Sequence, residues 1–237
     1  MKKYLIALIL FLSSCASATY EVKVNAVSAP SDEILKYNNC ILVPVRESDE
    51  KSLVYKRYRS FITQIVQENN VNIVENKKNA NCELFFDYGV SEPQVINYTS
   101  MVPNYGVTNI SSSTTTGNMY SFGNYGSYTS QTEYYPQYGI TGYTPVTRTM
   151  IVYSKHLFLD ARKMAKGNEI GDQLWRVLTT SRGQSNGLDE IMPYMLYVTA
   201  NNIKYNSNNT ENYILSANDK KIQYYKQIFN PELYEPN

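Results

Sequence analysis

Residues 97–147 limit most sharply what this chain can fold into. They hold nine Tyr, six Gly and three Pro among many Ser, Thr and Asn, and their only charged residue is Glu133. With so few aliphatic side chains, the segment cannot bury enough surface to offset the entropy of ordering a separate core. Both flanks, 83–99 and 147–161, nevertheless carry strand patterns, and Tyr and Thr near the base suit pairing as well. The segment therefore reads as the arm of one long hairpin. Its tyrosines Tyr120, Tyr125, Tyr128, Tyr134, Tyr135, Tyr138 and Tyr143 form a candidate contact surface, because a phenol offers apolar area with a polar tip and Tyr is over-represented among interface hot spots. The competing description is a mobile loop or hairpin extension with no partner.

The rest of the chain predicts alternating elements. Residues 40–45 form a short β-branched run, as expected of a buried strand. Ser48, Asp49 and Glu50 offer a cap and negative charge for a helix over 49–68. Its apolar face carries Val54, Tyr58, Phe61, Ile62, Ile65 and Val66, and Asn69-Asn70 supplies a stop. A short strand at 71–74, a polar turn at 76–81 and strands at 83–90, 147–161 and 173–180 follow. A helix over 188–199 carries Pro193, which predicts a kink or a short first turn. A last helix is expected over 217–229. The fold class read from this order is α+β, an α/β two-layer domain. It would have a small mixed or antiparallel sheet, two helices packed on one face, the Tyr/Gly-rich arm and a C-terminal helical tail. The domain would occupy residues 37–205, with the tail at 206–237.

The first residues carry an address. Lys2 and Lys3 precede the apolar run 4–12, and small residues follow, which is the pattern of an export signal over 1–14. The run is far short of the ~20 residues a spanning helix needs. Two cleavage patterns overlap in LSSCASA at 12–18. Leu12-Ser13-Ser14-Cys15 resembles the bacterial lipobox, in which the cysteine becomes the lipid-bearing first residue. Ala16-Ser17-Ala18 instead fits ordinary signal peptidase, which would release a soluble secreted or periplasmic protein. The lipobox is favoured, because it requires a cysteine at one fixed place and the chain has three in 237 residues. Two or more acyl chains give stable anchoring where one does not. Ala16 after the cysteine, by resemblance to enterobacterial sorting, points to the outer membrane with the domain facing the periplasm. The polar stretch 15–36 reads as a lipid-anchored tether, with a short strand at 20–24.

Two further stretches carry a family resemblance. HLFLDARKMAKGNEIGDQLWRVLTTSRG at 156–183 resembles the strand–turn–strand of the bacterial lipoproteins grouped as domain-of-unknown-function family 4136, with Leu159-Asp160, Leu174-Trp175-Arg176 and Gly183 at the matching steps. LDEIMPYML at 188–196 is similar to that family's closing helix, proline included. The resemblance covers roughly 37–203; the arm and the tail after Lys204 depart from it. It implies a small α/β domain on a lipid anchor and no catalytic residues.

The composition excludes some classes. Formal net charge is +1 and turns slightly negative once Lys2 and Lys3 are removed, so nothing favours nucleic acid. Metal-ligand spacings, phosphate loops and nucleophile elbows are absent, so no cofactor is expected. Cys40 and Cys82 each start an apparent strand. If those strands lie parallel and adjacent they can pair in a disulfide; otherwise they are two buried thiols. The single histidine, His156, reads as a half-exposed sheet residue rather than a base or ligand. Three function classes stand. The first is a non-enzymatic interaction or assembly module that binds another envelope protein or a polysaccharide. The second is a hydrolase using His156 with Asp160 and Asp189. The third is a binder of an apolar or carbohydrate ligand. The address is checked by intact mass: an acylated chain starting at Cys15 is expected, and an unmodified chain starting at Thr19 would mark a secreted protein.

Overall fold

Alternation of buried and outward positions organises this chain more than helical spacing does. The structure, a computed structural model, describes residues 18–46, 51–123, 125–165 and 170–230. Strand accounts for 54% and helix for 22%. The strands are β1 Thr19–Ser28, β2 Asn39–Pro44, β3 Asn72–Ile73, β4 Cys82–Val90, β5 Gln94–Phe122, β6 Tyr125–Lys163, β7 Gln173–Gly183 and β8 Glu211–Ser216. The helices are α1 Ser31–Ile34, α2 Leu53–Glu68, α3 Met192–Asn202 and α4 Lys220–Phe229, with a 3₁₀ turn at Lys77–Asn79. The strands form one mixed sheet of order β3-β2-β4-β6-β7-β1-β8, and β5 pairs with β6 outside that path. The chain divides into two compact units, Met1–Gln94 with Val152–Asn237, and Val95–Ile151.

This corrects the expected two-layer α/β domain with two helices on one face. Strand dominates, in one eight-stranded sheet accompanied by four short helices. Much of the difference lies at the chain's two ends. Val22, Val24 and Ala26 are fully buried while Glu21, Lys23 and Asn25 alternate with them, the period of a half-buried strand. The short strand expected at 20–24 lies inside this longer one, in place of the tether expected around it. β1 hydrogen-bonds to β7 on one side and β8 on the other, antiparallel to both. The tail expected to be helical first supplies β8 and then α4, which buries Ile222, Tyr225 and Phe229.

In the first unit, β2 lies between β3 and β4 and is parallel to both. Parallel neighbours need a crossover, and α2 provides it between β2 and β3. The cap of α2 is Ser52, whose hydroxyl accepts the Tyr55 N–H. The expected cap at Ser48, Asp49 and Glu50 lies outside the described residues. Asn70 ends the helix with φ +57°, a conformation Asn tolerates. Pro193 sits in the first turn of α3, where its missing N–H costs nothing, so no kink arises.

The core forms where one sheet face meets the helices. Cys40 and Leu42, Leu84 and Phe86, Leu157, Leu159 and Ala161, Trp175 and Val177 pack with Ile62, Ile65, Met192, Met195 and Phe229. Each fully buried side chain of this size contributes about 1.5–3 kcal/mol. α3 is buried on nearly every side, because it lies against β1 and β7 and touches α2 and α4. Asp160 is a buried charge on the opposite sheet face, 5% exposed. It is held by Arg162 Nε at 2.7 Å and Gln173 Nε2 at 2.7 Å, as a buried carboxylate requires.

Cys40 and Cys82 stand directly opposite in the β2–β4 ladder and form a disulfide with a Cα separation of 4.4 Å. It closes a loop with a sequence separation of 42. Chain-entropy reasoning gives such a crosslink about 4 kcal/mol. Cys40→Ser with Cys82→Ser, or reduction, should lower unfolding free energy by that order in a denaturant titration, with little change in the folded far-UV spectrum.

Candidate interaction surface

The second unit shows no interior among its described residues. Among the described side chains of residues 95–151, none is buried. What orders it is the β5–β6 ladder and a row of short polar pairs across it. Thr99 meets Thr147 at 3.3 Å, Thr149 donates to Asn97 Oδ1 at 2.9 Å, Asn104 Nδ2 donates to Thr144 at 2.8 Å, and Thr115 meets Thr132 at 2.9 Å. Pairs of this kind contribute roughly 0.2–1 kcal/mol each. Gly123 closes the hairpin at φ +59°, which glycine adopts without steric cost. Gly117 lies under the ring of Tyr128, an aromatic covering a bare stretch of backbone.

The tyrosines face water. Tyr120, Tyr128, Tyr134, Tyr135, Tyr138 and Tyr143 are all exposed, from 48% at Tyr135 to 71% at Tyr138. Tyr125 is described by its backbone alone. Tyr98 and Tyr105 belong to the same display, as do the exposed aliphatics Met101, Val107, Met119 and Ile140. Glu133 and Arg148 are the only charged residues of the unit. An isolated two-stranded ribbon is marginal in water, and this one presents unpaired strand edges with almost no charge to shield them.

Chemistry-bearing residues of the first unit form a separate set on the sheet face away from the helices. His156 Nε2 lies 3.1 Å from Asp87 Oδ2, and Arg46 Nη2 donates to Asp87 Oδ1 at 2.9 Å. Gly89 is the cross-strand partner of His156, and the ring covers it so closely that a Cβ there would stand 2.8 Å from His156 Cε1. Among the described residues no hydroxyl or thiol hydrogen-bonds to this imidazole, and no cluster of three His, Cys, Asp or Glu can hold a metal ion. Asp160, Asp172 and Asp189 do not converge: each pairs with its own cation, Arg162, Lys163 and Arg57 respectively. Asp189 also accepts the Tyr58 hydroxyl at 2.6 Å, and burial together with that bond pushes the Tyr58 phenol well above its ordinary range. Cys15 lies outside the described residues.

The sequence singled out His156 but gave no sign of its partners, since Asp87 and Arg46 sit on other strands or their ends. A polar residue placed two before a glycine in a strand, as in Asp87-Tyr88-Gly89, is the signal available. It marks a bare backbone position beside which a ring can lie.

No protein-family model matches the chain, and no curated protein matches it. Among solved structures it is similar to a PDZ domain protein from Parabacteroides distasonis, with a TM-score of 0.38 and 12% identity. The match covers 91% of this chain and 43% of that one, so the chain spans less than half that protein's length. A likeness at this level carries no argument about function.

The imidazole and its glycine are tested by a double-mutant cycle. Gly89→Ala should cost about 1 kcal/mol by displacing the ring and shift the His156 NMR signals. In a His156→Ala background the same change should be close to neutral.

Proposed function

We propose that this protein is a lipid-anchored lipoprotein of the outer membrane, non-enzymatic, that works as an interaction or assembly module in the envelope. Its partner is another envelope protein or a polysaccharide, met through the folded domain and the tyrosine-rich ribbon. The observation that carries this reading is the ribbon: a long, nearly uncharged hairpin with no buried side chain among its described residues and a run of exposed tyrosines. A chain gains little from ordering so many residues without a core unless something else covers them. Tyrosines suit both partner types, since a phenol ring anchors a protein interface or stacks on a sugar face while its hydroxyl keeps a hydrogen bond.

The anchor half of the proposal rests on the lipobox-like Leu12-Ser13-Ser14-Cys15 and on the resemblance to family 4136. It is compatible with the helices, since among the described residues none is long and apolar enough to cross a membrane. That fact says nothing about crossing by strands.

Deleting residues 97–147 and rejoining the chain tests the ribbon. The first unit keeps its own core, so the variant should unfold cooperatively, while partners recovered by crosslinking in intact cells should fall at least tenfold. An unchanged set of crosslinked partners would refute the role of the ribbon.

A further inference from the structure

The two edges of the ribbon are not guarded alike. β5 pairs with β6 and with no other described strand, so its far side presents a row of outward N–H and C=O groups. Proteins blunt such edges with charge and with proline. Along 125–151, β6 carries Glu133, Arg148, Pro136 and Pro145. A proline within a strand turns its donor-less nitrogen to the outer side, so the β6 row is interrupted at both prolines. β5 carries Pro103 near its base, and from 104 to 122 it has neither a proline nor a charge. That run is an uninterrupted edge of about 60 Å at a strand's rise per residue.

The side chains along this run suit pairing. Val107, Thr108, Ile110, Thr114, Thr115 and Thr116 are β-branched, the type that fits a pleated surface. Val107, Ile110, Met119 and Tyr120 stand exposed. Toward β6 the run is satisfied: Ser111 donates to the Tyr135 carbonyl at 2.9 Å, and Thr115 meets Thr132 at 2.9 Å. Its outer side has no strand beside it among the described residues. A row of main-chain donors and acceptors at strand spacing is matched, group for group, by another strand. The run also matches itself. Turned end for end about its midpoint, Ser113, it sets Val107 against Met119, Ile110 against Thr116, Ser112 against Thr114 and Gly106 against Tyr120. These are an apolar pair, a mixed β-branched pair, a hydroxyl pair and a ring laid over bare glycine backbone, each a favourable cross-strand neighbour.

We propose that β5 pairs antiparallel with β5 of a second copy of this chain over 104–122, with the two-fold axis at Ser113. A contact of this kind uses the same patch on both copies and closes on itself. The product is a dimer whose ribbons join in the order β6-β5-β5-β6, ending on both sides in the edge that carries proline and charge. A lone hairpin is marginal in water, and a sheet of three or more strands is stabler. A second copy fits better than a different chain for two reasons. Self-pairing uses the whole uninterrupted length, and the guarded β6 edges then stop further growth. The inference rests on the ribbon being an interaction surface and narrows it: β5 serves self-association, and the tyrosines of β6 stay open to an envelope partner.

The test is sedimentation of the full mature chain over a wide concentration range, with amide hydrogen exchange followed along 104–122. A monomer–dimer equilibrium that plateaus at the dimer is expected, with exchange in this run slowed at least tenfold as the dimer forms. Ser112→Lys with Thr114→Lys sets like charges opposite one another in the proposed register and should weaken dimerisation at least tenfold. Ser112→Lys with Thr114→Glu perturbs the same exposed positions but opposes unlike charges, and should restore it. A short thiol crosslinker should join copies of Ser113→Cys at least tenfold faster than copies of Ser130→Cys, whose thiol lies on β6. A monomer at every concentration, a mass that climbs without a plateau, equal weakening in the two charge variants, or equal crosslinking of the two cysteines would each overturn the proposal. So would protection of 104–122 that appears only when a purified envelope polysaccharide is added. A monomer that still crosslinks its envelope partners in cells would sink the dimer alone, and a dimer without such partners would sink the envelope reading alone.

Discussion

The β6 ladder is the interaction on which the first unit depends. From Leu157 to Ala161 this strand hydrogen-bonds to β4 on one side and β7 on the other, and its alternate residues are fully buried. β4 carries β2 and β3 outward from it, and β7 carries β1 and β8. Remove the ladder and two half-sheets remain, each with an exposed apolar edge. Antiparallel pairing on both sides also fixes register. That explains how one lysine in the alternation, Lys155, ends on the buried face: a slip of one residue would free it but expose Leu157 and Leu159.

The two sheet faces have different characters. The face toward the helices is aliphatic and aromatic, closed by Trp175, Phe86 and Phe229. The opposite face holds Asp160, Arg162, Gln173, Asp87 and His156 in short-range polar pairs. These pairs satisfy one another across strands, which lets half-buried charge persist. The geometry therefore gives His156 a structural partner and a glycine platform.

Much of this was legible in residues whose meaning is local. The apolar face of α2 follows from Tyr58, Phe61, Ile62, Ile65 and Val66, and its end from Asn69-Asn70, because helix period and capping act over a few residues. What failed depended on distant partners. The strand expected at 20–24 lies within β1, but its length and its place between two neighbours were not legible, because Glu21, Lys23 and Asn25 look solvent-bound until β7 and β8 appear on either side. The strand in the tail is harder to read because Tyr213, Ile214 and Leu215 are a run of only three apolar residues between polar ones, and only an edge beside β1 makes them a strand. Lys155 escaped notice because nothing in its own neighbourhood distinguishes a buried lysine from the usual exposed one.

The place of β1 changes what an anchor here would mean. Ala18 already accepts a hydrogen bond from Ala217, and β1 starts at Thr19. A lipid on Cys15 would therefore be joined to the sheet by four backbone steps, a span of at most about 14 Å. That is about half the ~30 Å thickness of the hydrocarbon core. An anchored copy would be docked rather than tethered, with the corner formed by the start of β1 and the end of β8 held at the bilayer surface.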